Sequence, residues 1–384
     1  MNRHPVLLGA VTALAVGVLA GCSHAVPATP GGPGASAAPV ATPDASPSPT
    51  PTASAATASA PLRCDDLLTH AQLLAAAQGP HSPANRTVSV TSTAGGTITA
   101  ETAVQGAGGL SCAWRIAGEG AATDDVVVNA AVLPGAAKDW SAQMFGDAPT
   151  AKRRVFAGIS AAATCGDPGC GASAAVGSSW VRVDLLTVGL AEGTSVFAGE
   201  TEDTLFTNAG PAIAAVFATV QHASAAQLRF PSHVGTRATS DCRTFVKPGP
   251  LAAAMGVRST SYADPRYPDS VSDSIAGAAE HRIGVSSCFV NGSGTGPNST
   301  AKITIAPDQA GAVAAMAADP KARGPLKPVT LANQVAGEHA LTDCSSSSSP
   351  NECSVVFSLG TTAIQVDDGI RSKQIAEAII AEAR

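Results

Sequence analysis

The sequence predicts an α+β fold written twice: two tandem disulfide-stapled domains, each an antiparallel sheet flanked by helices, after a disordered tether. Three observations predict it. Beyond Cys22 the chain holds eight cysteines, and the spacings within the first four (48, 53 and 5 positions) recur closely within the last four (46, 56 and 9). Alternating apolar segments recur at matching places, "VVVNAAVLPG" (126–135) and "AKITIAPD" (301–308), each closing on a proline. The flanks of the cysteines also agree. "GLSCAWRI" (109–116) matches "GVSSCFV" (284–290), and "FAGISAAATC" (156–165) matches "VAGEHALTDC" (335–344), with Gly158 and Gly337 each seven residues before a cysteine. The copies span residues 62–222 and 240–384. Residues 223–239 between them are assigned as a linker, although their mixed composition also allows a docked segment.

The N-terminus has its own logic. A short basic head precedes an apolar stretch from Val6 to Ala20, shorter than the ~20 residues a spanning helix needs. Residues 1–21 therefore read as an export signal with small residues at its end. Leu19-Ala20-Gly21-Cys22 resembles the lipobox of bacterial lipoproteins, which implies cleavage before Cys22, diacylglycerol on its sulfur and an acyl chain on its amine. Two or three acyl chains hold a protein on a membrane where one does not. Residues 22–61 then form the tether. It has nine prolines, one acidic residue (Asp44) and no large apolar side chain beyond Val26 and Val40, too little to offset the entropy of ordering.

Within the first copy, "DDLLTHAQLLAAAQG" (65–79) predicts a helix with Leu67, Ala71 and Leu74 on one face and Gly79 as its C-cap. "LSCAWRI" and "DVVVNAAVL" predict strands. "GAAKDWSAQMF" sets Trp140 and Met144 four apart and predicts a short amphipathic helix. "SSWVRVDLLTV" predicts a strand. A closing helix starts at Pro211 and buries Ile213, Val216, Phe217 and Val220. The second copy is terser: helices at Leu251–Met255 and Val313–Met316, a hairpin of Val355–Leu359 and Thr362–Val366, and a closing helix over Ile375–Ile380. Short turns between successive strands favour antiparallel pairing.

An even cysteine count in an exported chain predicts disulfides. Pairing that respects the copies joins Cys64–Cys112, Cys165–Cys170, Cys242–Cys288 and Cys344–Cys353. The two short pairs read as clasps on hairpins, with Asp-Pro-Gly turn chemistry in "CGDPGC". Thiolate metal sites are disfavoured, since neither short pair is a Cys-x-x-Cys and only His339 lies near one.

The "CDDLL" opening at 64–68 and "CAW" at 112–114, after a lipobox and a Pro/Ala/Ser/Thr tether, resemble secreted actinobacterial lipoproteins built on a domain of unknown function. The layout is more distantly similar to Mog1/PsbP-like α+β sandwiches and to extracellular sensor domains of mycobacterial receptor kinases. The resemblance implies ligand or partner binding at the cell envelope and supplies no catalytic residues. The second copy departs from it, with "CRTFV" and "CFV".

Chemical motifs are sparse. Gly-x-Ser-x-Gly and His-Glu-x-x-His are absent from the sequence. Ser299-Thr300-Ala301-Lys302 matches Ser-x-x-Lys, but no Lys-Thr-Gly accompanies it, and "NGSGTGPNSTAK" reads as a hairpin loop. His70, His81, His222, His233, His281 and His339 share no metal-ligand spacing. The acidic pairs Asp65-Asp66, Asp124-Asp125 and Asp367-Asp368 sit at element ends, and Trp114, Trp140 and Trp180 read as core. A net charge of −6 without a basic run disfavours nucleic acid. The expectation is a cell-membrane protein, lipid-anchored on the outer, extracytoplasmic face, without a cofactor or metal and without enzymatic activity. It would bind an unknown ligand or envelope protein, in the groove between the copies or on the first copy. An envelope-acting hydrolase with one active copy and a structural assembly partner are the alternatives. Substituting Cys22→Ala is expected to move the protein out of the membrane fraction and to remove the acyl mass from the intact chain, as read by fractionation and mass spectrometry.

Overall fold

A computed structural model describes residues 60–91, 100–118, 125–142, 152–166, 169–187, 195–232, 246–262, 274–293, 300–318, 326–344, 353–367 and 371–384. Cys22, residues 23–59 of the tether and Cys242 lie outside the described residues. The strands are β1 (Arg86–Thr91), β2 (Leu110–Gly118), β3 (Val126–Leu133), β4 (Lys152–Phe156), β5 (Ile159–Gly166), β6 (Gly169–Val176) and β7 (Ser179–Thr187) in one sheet. The other holds β8 (Thr260–Tyr262), β9 (Ser286–Gly292), β10 (Thr300–Ala306), β11 (Lys327–Pro328), β12 (Ala340–Asp343), β13 (Ser354–Leu359) and β14 (Thr362–Asp367). The helices are α1 (Cys64–Leu67), α2 (His70–Ala76), α3 (Ala100–Gly106), α4 (Glu202–His222), α5 (Pro248–Met255), α6 (Ile275–Ile283), α7 (Ala310–Ala318) and α8 (Ser372–Glu382).

Both sheets are antiparallel and seven-stranded, ordered β1-β2-β3-β7-β6-β5-β4 and β8-β9-β10-β14-β13-β12-β11. Counted from its own first strand, each sheet has the same order. Register agrees to the residue: Cys112 faces Ala130 where Cys288 faces Ile303. In that register Trp114 corresponds to Val290, and Phe289 stands at the place of Ala113. Cys64 is bonded to Cys112, Cys165 to Cys170 and Cys344 to Cys353, and Cys288 is also disulfide-bonded.

Each sheet is buried on two faces. On the outer face of the first, α1, α2 and α4 lay Leu67, Leu73, Ile213, Val216 and Phe217 over Trp114, Val128, Val181 and Val183. On the outer face of the second, α5 and α8 lay Leu251, Met255, Ile375 and Ile379 over Val290, Ile303, Phe357 and Ile364. The inner faces share one core. Ala103, Val104 and Ala107 from α3, with Leu133 and Trp180, meet Ala278, Ala279 and Ile283 from α6, with Val313 and Met316 from α7.

Several sequence expectations need correction. Residues 65–79 form two helices rather than one. Thr69 accepts from Gln72 N–H and Gln72 Oε1 accepts from Thr69 N–H at 2.8 Å, a capping box that restarts the helix. Gly79 is not the cap, which is Ala77; a Cβ at Gly79 would lie 2.7 Å from the Phe197 ring. Among the described residues 135–142 there is a 3-10 turn at Ala137–Asp139, followed by extended Trp140; Met144 is outside the described residues. The last helix of the first copy does not start at Pro211 but at Glu202, with Thr201 capping Thr204 N–H. An interior proline costs ~3 kcal/mol, yet burial of Leu205, Phe206, Ala209 and Ile213 along one continuous face outweighs it. Residues 223–232 begin as a docked segment. Leu62 N–H donates to Gln227 O at 2.9 Å, and Leu228 and Phe230 pack on the first core.

The first turn of α4 is held by the edge strand β4. Lys152 Nζ lies 2.8 Å from Glu202, and Arg154 bonds Asp203 at 2.6 Å while stacking on Phe206. The hydrogen bond from Lys152, reinforced by Arg154 against a smaller cost of burial, holds the Glu202 carboxyl below its ordinary range. A lowered carboxylate stabilises the fold above its unfolded pKa and loses that contribution as pH falls through the folded value. Glu202→Gln is thus expected to cost about 0.5 kcal/mol at pH 7, a difference that in urea titrations begins to shrink as pH falls below the ordinary glutamate value of 4.5 and is gone only below the lowered folded value. At the shared core, Ala279 is fully buried, and Ala279→Leu is expected to cost ~1–3 kcal/mol by overpacking, measured the same way.

Candidate functional site

The helices α3 and α6 meet because both present small residues: Ala103, Gly106 and Ala107 on one, Gly277, Ala278 and Ala279 on the other. They do not fill the whole space between the sheets. Along one face of α3 a cleft of about 1220 Å³ opens, lined by both sheet domains. From the first come Thr102, Gln105 and Gly106 of α3, Leu110 of β2 and the segment Ala60–Asp65. The second contributes Asp308–Ala312, the turn leading into α7, and the hairpin turn Gly360-Thr361. Phe230 and Pro231 of the docked segment close the side.

Most of this wall is apolar or backbone. Its buried polar groups are neutral: Thr102 is 5% and Gln309 4% exposed. The Gln309 amide packs straight onto the backbone of Gly106, where a Cβ would meet its Nε2 at 2.7 Å. At the mouth, exposed Arg63 stands beside Asp65 and Asp308, so the rim carries no net positive charge. Ala310 N–H donates to Thr361 O at 3.0 Å, which pins the helix start against the hairpin turn. Gly311, in the first turn of α7, lines the cleft, and a Cβ there would meet nothing within 4 Å.

Most of the residues singled out from the sequence lie elsewhere. Among them Asp65 and the disulfide-bonded Cys64 line the cleft; Asp66 caps α1 by accepting Arg63 N–H at 2.8 Å. Asp125 is paired with Arg115, and Asp367 accepts from Gln365 Nε2 at 2.7 Å. Asp124, Asp368, His233 and Ser299 lie outside the described residues, while Lys302 sits within β10. His70, His81, His222, His281 and His339 are dispersed, with His222 Nδ1 on Ala218 O at 2.7 Å. Among the described residues no group of three or more metal-ligating side chains converges. Trp114 is in the first core and Trp180 in the shared core, its Nε1 donating to Ser173 Oγ at 2.8 Å. Trp140 donates to the same hydroxyl at 3.2 Å and lies under Arg153.

One buried titratable group stands apart on β7. Burial pushes the Asp184 carboxyl up, and the neighbouring Arg182, 2.7 Å away, offsets part of that shift. Its Oδ1 has no hydrogen-bond partner among the described residues. It is not among the cleft-lining residues.

Sequence reasoning placed a groove between the copies but found none of Thr102, Gln105, Gly106 or Gln309. "AETAVQG" carries no strong apolar period, and Gln309 reads as an ordinary turn residue. No protein-family model, no curated protein and no solved structure matches the chain. Among the described residues no helix is long and apolar enough to cross a membrane.

Proposed function

We propose that this chain is a lipid-anchored, extracytoplasmic binding protein, attached through Cys22, that holds a small and largely apolar molecule in the cleft between its two sheet domains. It acts without catalysis. The observation that carries this reading is the cleft itself: about 1220 Å³, slightly above the range of drug-sized pockets. Apolar walls from both domains surround a few fixed neutral donors and acceptors. Such a lining favours an uncharged molecule, because an ion inside it would lose hydration without gaining a partner. The Cys22 anchor and the kinship with secreted actinobacterial lipoproteins are part of the same proposal, resting on the lipobox and the tether.

The test is titration of the full chain with N-phenyl-1-naphthylamine, a neutral dye that fluoresces in apolar surroundings. Wild type is expected to take up about one equivalent, and Gly311→Trp to lose at least ~10-fold in affinity, since the indole enters the cleft from an unstrained position. Far-UV circular dichroism of the variant should be unchanged. Wild type that binds no dye, or a folded Gly311→Trp that binds as well as wild type, would overturn the reading.

A further inference from the structure

The duplication extends to the hydrogen bonds at the junction. Helix α3 ends with Gly108 N–H on Gln105 O and Gly109 N–H on Val104 O; α6 ends with Gly284 N–H on His281 O and Val285 N–H on Glu280 O. Gly108 and Gly284 both have positive φ, 77° and 74°, the left-handed residue that closes a helix in this way. Counting back, Gly106 corresponds to Arg282. The turns that face these helices correspond as well. Ala137 N–H donates to Ser178 O where Ala310 N–H donates to Thr361 O, and the positive φ of Gly135 (71°) recurs at Asp308 (56°). Ala136 therefore corresponds to Gln309, and Pro134 to Pro307.

Because α3 packs on α6, equivalent elements meet as they do across a two-fold axis, so each contact has a counterpart. The counterpart of the Gly106–Gln309 contact is Arg282 against Ala136. At that place the Arg282 guanidinium crosses between the domains and donates to Pro134 O at 2.9 Å and to Ala107 O at 3.3 Å. Where the first junction has a glycine covered by the Gln309 amide beside an open cleft, the second has a long cationic side chain whose Nη1 is tied to two backbone carbonyls of the first domain.

We infer that the duplication produced two equivalent ligand positions at the domain junction, and that Arg282 closes one while Gly106 keeps the other open to an uncharged, mainly apolar ligand. The inference rests on the reading of the cleft as a binding site. Gly106 and Arg282 are then the residues that decide where ligand is admitted, and the two halves have divided their roles without altering their topology.

The experiment copies each junction into the other in the full chain, with N-phenyl-1-naphthylamine as the probe. Gly106→Arg with Gln309→Ala rebuilds the closed arrangement; its guanidinium can reach the carbonyls of Pro307 and Ile283, the counterparts of Pro134 and Ala107. Bound dye should fall from about one equivalent to none, with the far-UV circular dichroism of the wild type retained. Arg282→Gly should raise bound dye to about two equivalents. A folded double variant that still binds one equivalent, or a folded Arg282→Gly that gains none, overturns the inference; if Arg282→Gly does not fold, the double variant decides alone. Wild type that takes up no dye would instead count against the binding reading.

Discussion

The close approach of α3 and α6 is the constraint on which the rest of the structure depends. Two helices can meet backbone to backbone only where their facing residues are small, and here alanines and glycines supply that on both sides. The contact brings the inner faces of two seven-stranded sheets into one core with Leu133, Trp180, Val313 and Met316. Without it each sheet would leave an apolar face in water. With it, two units that each have a core of their own on the outer face become joined through a third core between them.

Small residues at the contact also explain why there is a cleft. Side chains as short as alanine bring helices together along a line, and space remains beside α3 where it faces the start of α7. On one side that space is bounded by the α7 start and a hairpin turn, and at position 106 its wall is glycine backbone with the Gln309 amide packed against it. On the other, Arg282 spans it and satisfies two carbonyls that would otherwise face the gap. The same geometry thus serves as a fastening at one junction and an opening at the other.

Stapling fits this division of labour. Cys64–Cys112 ties the short helix before the first sheet to β2, so that the cleft wall formed by Ala60–Asp65 is itself cross-linked. The two short disulfides lie far along the sheets, on hairpin ends remote from the junction. The cleft mouth is consequently built from a cross-linked segment, a capped helix start and a docked segment held by the Leu62–Gln227 hydrogen bond. A wall assembled in this way pre-organises the space it encloses, which limits the ordering cost of binding.

The sequence by itself determined the α+β class, the positions of β2, β3, β7, β13 and β14, and the apolar faces of the closing helices. These follow from period-2 and period-3.6 patterns and from cysteine spacing, all readable over short windows. It did not reveal α3 or α6, because alanine-rich and glycine-rich segments such as "AETAVQG" and "IAGAAEHRI" have little hydrophobic contrast; their helicity is stabilised by the partner helix more than by their own pattern. It misplaced the start of α4 by reading Pro211 as a boundary, since local signals do not report the burial that carries a helix through a proline. Only the tertiary structure decided that the two sheets share a core, that Thr102, Gly106 and Gln309 meet, and that Arg282 is the counterpart of Gly106. Those relations join residues about 150 to 200 positions apart, and a contact between small side chains leaves no periodic mark on either strand of sequence that makes it.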